Sequence, residues 1–201
     1  MAKSSDPAAA HLPRATELAH SLVSPFLQPG DLAVDATAGN GHDTSFLAER
    51  VGTGGLVIAI DLQEIAIESC RRRCSVHENV SYHVGGHEEI ESLVPQSPQA
   101  ILFNLGYLPS GDKSIITSPR TTIPALDASL RILNTGGILS VAVYSGHAGG
   151  AEEANAVSSW AKNLPSRTFL VSRHDFLNQE KTPPFLIAIE KRENASSTSE
   201  E

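Results

Sequence analysis

DLAVDATAGNGHDTSFLAERV (31–51) decides the fold, because it joins an apolar run of strand type, a turn with two glycines and an amphipathic segment without interruption. In the first part Leu32, Ala33 and Val34 leave no polar alternation, as expected of a strand buried on both faces. Gly39 and Gly41 let the backbone turn tightly and approach a ligand, and a helix starting near His42 offers unpaired N–H groups beside them. The alternation repeats downstream. Strand-type runs GLVIAID (55–61), VSYHV (80–84), AILFNL (100–105), GILSVAVY (137–144), FLVSRHDF (169–176) and FLIAIE (185–190) bring the strands to seven. Helix-like segments fall at 42–51, 63–74, 88–93, 119–133 and 151–164, and a leading helix at 12–27 spaces Leu18, Leu22, Val23 and Phe26 at helical intervals. This pattern predicts an α/β, doubly wound, mostly parallel sheet with helices on both faces. Residues 177–184 are too few for a crossover helix, so the last strand pair should be antiparallel.

The rest of the composition limits what such a domain can do. With 201 residues, 40% of them hydrophobic, one core over 12–191 is expected between a flexible start (1–11) and a polar tail (192–201). A domain of this length hides roughly 70% of its unfolded surface and needs no disulfide or structural metal. Cys70 and Cys74, four apart on a predicted helix, share a face but make a poor zinc site. No run approaches the roughly 18 to 20 apolar residues of a membrane helix, and 1–10 has no signal-peptide character, so a cytoplasmic protein is expected. A net charge of −8 disfavours non-specific coating of nucleic acid. Arg71, Arg72, Arg73, Lys113 and Arg120 leave room for a local basic patch, although an Arg run at a helix end also complements its dipole.

A parallel sheet that finishes in a hairpin is the Rossmann-like arrangement of class I methyltransferases, which directs attention to a nucleoside cofactor. Asp35, Gly39, Asn40, Gly41, Asp43 and Thr44 form the candidate cradle. Asp61 closes the second strand, where a carboxylate can accept from both ribose hydroxyls; an N-cap for the helix near Gln63 is the plain alternative. Two acids, Asp35 and Asp43, flank the turn and suit a cation better than a pyrophosphate, which favours S-adenosylmethionine over a dinucleotide. His87 stands where an adenine ring would end, or is simply a histidine near a helix start.

The fourth strand ends in NLGYLPSGDKSI (104–115), and carboxyl ends of parallel strands line the ligand crevice. The Asn104 amide oxygen can accept from an attacking amine, as can backbone carbonyls of the loop, Leu105 included. In-line displacement needs reacting atoms about 3 to 3.5 Å apart, so orientation supplies much of the rate. Tyr107 can wall a flat base. Against these stand a turn-forming asparagine and a packed tyrosine.

The chain resembles the family first described as rRNA methylases and associated with methylation of aminomethyl-2-thiouridine in tRNA. DATAGNGHDT (35–44), AIDLQ (59–63), NLGYLPSGDKSI (104–115), VYSGHAGGAEE (143–153) and HDFLNQ with PPFLIAIEK (174–191) carry the likeness, which spans 13–191. It implies transfer of a methyl group from S-adenosylmethionine to the exocyclic amine of 5-aminomethyl-2-thiouridine at the wobble position, with the anticodon region as partner, no metal and a homodimer. It also implies Asn40, Asp43, Asp61, Gln63 and His87 at the cofactor, and Asn104, Tyr107, Lys113, Tyr144, His147 and Asn178 toward the nucleotide. His147 could take up the released proton, contact RNA or merely end a strand. A methyltransferase of rRNA or a small amine, and a non-catalytic cofactor-binding RNA module, are the competing functions. Where related amino-methyltransferases carry Asn-Pro-Pro-Tyr and three glycines, this chain has Asn104-Leu-Gly-Tyr107 and two.

Overall fold

The computed structural model describes residues 12–109, 111–112, 115–179 and 182–193; the flexible ends expected at 1–11 and 192–201 lie outside these, apart from Arg192 and Glu193. One sheet contains β1 (Leu32–Asp35), β2 (Leu56–Asp61), β3 (Val80–Val84), β4 (Ala100–Leu105), β5 (Ile138–Val143), β6 (Phe169–His174) and β7 (Phe185–Lys191), in the order β3-β2-β1-β4-β5-β7-β6. The first five strands pair in parallel, and β7 runs antiparallel to β5 and β6. The expected closing hairpin is present. Its second strand also slots between β5 and β6, which chain order does not reveal. The burial patterns fit: β7 is buried from Phe185 to Ile189, whereas the edge strand β6 has no buried residue.

Helices α1 (Ala15–Val23), α2 (His42–Val51) and α3 (Glu64–Arg73) cover one face of the sheet, and α4 (Ile90–Leu93), α5 (Pro119–Ile132) and α6 (Gly150–Lys162) the other. Strand side chains alternate faces, so Ile101, Phe103 and Leu105 of β4 join the core under α5 while Leu102 packs toward α2. Asn104 shares the parity of Leu102 and therefore points toward α1 and α2. The leading helix is shorter than 12–27: Glu17 accepts the Arg14 N–H at 2.8 Å at its start, and Pro25, lacking an N–H, turns its end into a 3-10 turn at Ser24–Phe26. The 88–93 segment likewise divides into a 3-10 turn, His87–Glu89, and the single turn of α4. Among the described residues no helix is long and apolar enough to cross a membrane, and no cluster of histidine, cysteine and acidic side chains could hold a metal.

The glycine turn after β1 rests on a buried polar seam between α2 and α3. Fully buried Asp35 accepts the Thr37 N–H at 3.2 Å and the Thr44 hydroxyl at 2.6 Å. Cys70 in turn donates to the Thr44 oxygen at 3.2 Å, and Cys74 to the Gly41 carbonyl at 3.6 Å, both thiols being free and buried. Burial pushes the Asp35 carboxyl well above the usual range, and the neighbouring Asp43 adds to the effect. Gly41 has φ +79°, and a Cβ there would lie 2.8 Å from the Cys70 Cα.

Gly41→Ala should lose about 2–4 kcal/mol in urea unfolding, from left-handed backbone strain plus a backbone collision; a loss below about 1 kcal/mol would show that the helices separate easily. Because the folded carboxyl of Asp35 is raised, its favourable contribution is full below the unfolded pKa of about 4 and is lost as pH rises through the folded value. The melting temperature of Asp35→Asn relative to the native chain should therefore shift in the variant's favour from pH 5 to pH 9, and a flat difference would contradict the buried-acid assignment.

Candidate active site

The turns that leave β1, β2, β3, β4 and β5 at their carboxyl ends surround a cavity of about 610 Å³. Asp61, at the tip of β2, ties the first two turns together: Oδ2 accepts the Gly39 N–H and Oδ1 the Gln63 N–H, each at 2.9 Å. Burial raises its pKa, while these two N–H groups act the other way. The Asn40 carbonyl accepts from Arg73 Nε at 2.6 Å, and its side-chain oxygen from the Ser69 hydroxyl at 3.2 Å. Arg71 lies 4.4 Å over the Tyr82 ring and Arg72 pairs with Glu68 at 3.7 Å, so this Arg run braces its own surroundings. His87 is 9% exposed, sits edge-on to Phe103 at 5.6 Å and has no partner at Nε2; burial pushes its imidazole below the ordinary histidine range, so the ring is neutral at pH 7.

Across the cavity, the Asn104 N–H donates to Thr37 Oγ1 at 2.7 Å and its side-chain Nδ2 to Asp43 Oδ2 at 2.6 Å. The other Asp43 oxygen is 2.7 Å from His20 Nε2 of α1. The loop after β4 then folds back on itself. Tyr107 bridges Ile116, the Thr117 N–H donates to the Gly106 carbonyl at 2.9 Å, and the Asp112 N–H reaches Gln63 Oε1 at 3.2 Å. Glu153 of α6, 1% exposed, anchors this loop by accepting from the hydroxyls of Thr117 and Thr122, both at 2.6 Å. Tyr107 meets His147 edge-on at 5.6 Å. The His147 Nδ1 lies 2.9 Å from the Ala148 carbonyl, which can only accept; Nδ1 therefore carries the proton, and the buried Nε2 has no partner. Tyr144 lines the same cavity, its phenol raised by burial and by the Asp43 charge.

Gly39, Asn40, Asp43, Asp61, Gln63 and His87 thus line one side of the cavity, and Asn104, Leu105, Tyr107, Tyr144 and His147 the other. Four expected residues do not. Asp35, Gly41 and Thr44 form the seam beneath the turn, because the period of β1 and the start of α2 direct them inward; Asn178 is exposed in the loop before β7 and outside the lining. Of the two acids expected to favour a cation, only Asp43 borders the cavity. The Leu105 carbonyl already accepts the Tyr144 N–H at 3.1 Å, which leaves it one lone pair. Lys113 lies outside the described residues. His20, Thr37 and Glu153 escape a reading of spacing, since their partners are 23, 67 and 31 or 36 positions away.

Known proteins share both the sequence and this architecture. Residues 57–190 match the family described as "Putative rRNA methylase". The chain is 38% identical over 199 residues to the Arabidopsis thaliana protein named tRNA (mnm(5)s(2)U34)-methyltransferase, chloroplastic, covering 90% of this chain and 70% of the relative. The crystal structure of a "putative rRNA-methylase" from Clostridium thermocellum superposes with a TM-score of 0.87 at 39% identity, over 90% of this chain and all of that one. A "putative methyltransferase" from Streptococcus mutans, solved in complex with SAH, gives 0.82 at 39% identity, over 90% and 99% of the two chains. Family, fold and strand order agree, and the chain belongs to the family described as "Putative rRNA methylase", S-adenosylmethionine-dependent methyltransferases with the class I fold.

Proposed function

We propose that this protein transfers the methyl group of S-adenosylmethionine to the exocyclic amine of 5-aminomethyl-2-thiouridine at the wobble position of tRNA, giving the methylaminomethyl form. The observation that carries the reading is the meeting of the Gly39–Asp61 cradle and Asn104 in one cavity of about 610 Å³, within the roughly 300–1,000 Å³ of small-molecule sites. The Arabidopsis relative, named for that wobble modification, supports the choice of substrate.

The residues present fit the donor. Asp61 keeps lone pairs on both oxygens for ribose hydroxyls, and the unpartnered Nε2 of His87 is a polar contact for an adenine edge. S-adenosylmethionine, when bound, supplies an electrophilic methyl carbon. Asn104 accepts an N–H of the substrate amine at its amide oxygen and so turns the nitrogen lone pair toward that carbon. As the N–C bond forms and the C–S bond breaks, the nitrogen becomes cationic and sheds a proton. His147 offers the buried Nε2 lone pair as acceptor for it. Tyr107 and Tyr144, both partly exposed at the cavity mouth, give a flat base two aromatic neighbours.

Labelled donor offered with tRNA that carries or lacks the aminomethyl group should give methylation only of the former; equal labelling of both, or labelling of rRNA instead, would end this reading. Asn104→Ala should lower kcat by at least about 100-fold, while donor affinity measured by calorimetry stays within about threefold of the native value.

A further inference from the structure

Asp43 was expected at the cofactor, yet both of its oxygens are engaged by the protein, one by Asn104 Nδ2 at 2.6 Å and the other by His20 Nε2 at 2.7 Å. An asparagine amide can be turned either way, and the two ends differ chemically. With the amide reversed, two acceptor oxygens would face each other at 2.6 Å, so the carboxylate selects the orientation in which the Asn104 oxygen points away from Asp43. The backbone at that point is held as well, because the Asn104 N–H donates to Thr37.

The carboxylate needs its own constraint. It is 6% exposed, so water cannot readily replace a lost partner, and freed on one side it could rotate away from the amide. His20 prevents this from a third element. Its ring is stacked on Phe46 at 3.9 Å with an interplanar angle of 4°, which fixes the direction in which Nε2 donates. A hydrogen-bonded chain therefore runs from α1 through α2 to the tip of β4.

We infer that His20 is a positioning residue for methyl transfer: through Asp43 it holds the Asn104 amide with its oxygen toward the incoming amine. The inference rests on the reading of Asn104 as the acceptor of the substrate amine. Thr37 and Phe46 complete the support, and α1, which contributes no motif of its own, becomes part of the reaction apparatus.

Three substitutions separate hydrogen bonding from packing. His20→Phe keeps a ring over Phe46 and removes the donor, His20→Gln keeps a donor and removes the ring, and His20→Ala removes both. Full-length variants should bind S-adenosylmethionine with affinity within about threefold of native, which also shows that they fold. His20→Ala and His20→Phe should lose about 10- to 50-fold in kcat on aminomethyl-bearing tRNA, and His20→Gln should return to within about threefold of native. A pure packing role predicts the reverse order, with His20→Phe active and His20→Gln slow, and that result would overturn the inference. In the Asn104→Ala background, His20→Ala should cause no further loss of kcat; a full additional 10-fold drop would show that His20 acts elsewhere. Native turnover in Asn104→Ala alone would instead sink the reading of Asn104, and is told apart by needing no change at His20.

Discussion

Parallel pairing of β1 with both β2 and β4 is the constraint on which the site depends. Strands that run the same way release their turns at the same edge, and at β1 the chain changes the side on which it adds neighbours. The turns after β1 and β4 therefore diverge and leave room between them. Three polar groups of the cavity are then placed by strand parity or by the first turn of a following helix. Asp61 ends β2, Asn104 ends β4, and Asp43 lies in the first turn of α2.

Three aspartates within this small region do different work because their surroundings differ. Asp35 is sealed beneath the turn, where desolvation favours its neutral form and a threonine hydroxyl and a backbone N–H satisfy it. Asp61 is partly exposed and joins two turns through backbone N–H groups, with acceptor capacity left over. Asp43 lies between α1, α2 and β4 and has side chains on both oxygens. Sequence position alone makes Asp35 and Asp43 look equivalent, as a pair flanking a glycine turn. Burial and partners separate them into a foundation and an orienting group.

The folded-back loop after β4 adds a second layer of order. Its base is joined by the Thr117–Gly106 hydrogen bond and anchored on buried Glu153 through the Thr117 hydroxyl, and its middle touches Gln63. A loop with such ties holds Tyr107 beside His147 without a regular element beneath it. The cavity thus combines a rigid floor of strand tips with a wall built from side-chain hydrogen bonds, and the two meet at Asn104.

Local patterning determined the seven strands, the helices between them, the antiparallel finish and the tips at which Gly39, Asp61 and Asn104 stand, since apolar periodicity and loop length act over a few residues. Tertiary structure alone decided that β7 enters between β5 and β6, that Asp35 and Thr44 face inward, and that His20 reaches Asp43. Those outcomes depend on which surfaces meet after the chain has collapsed, and a hydrogen bond between residues 20 and 43, or 43 and 104, leaves no period in the sequence that joins them.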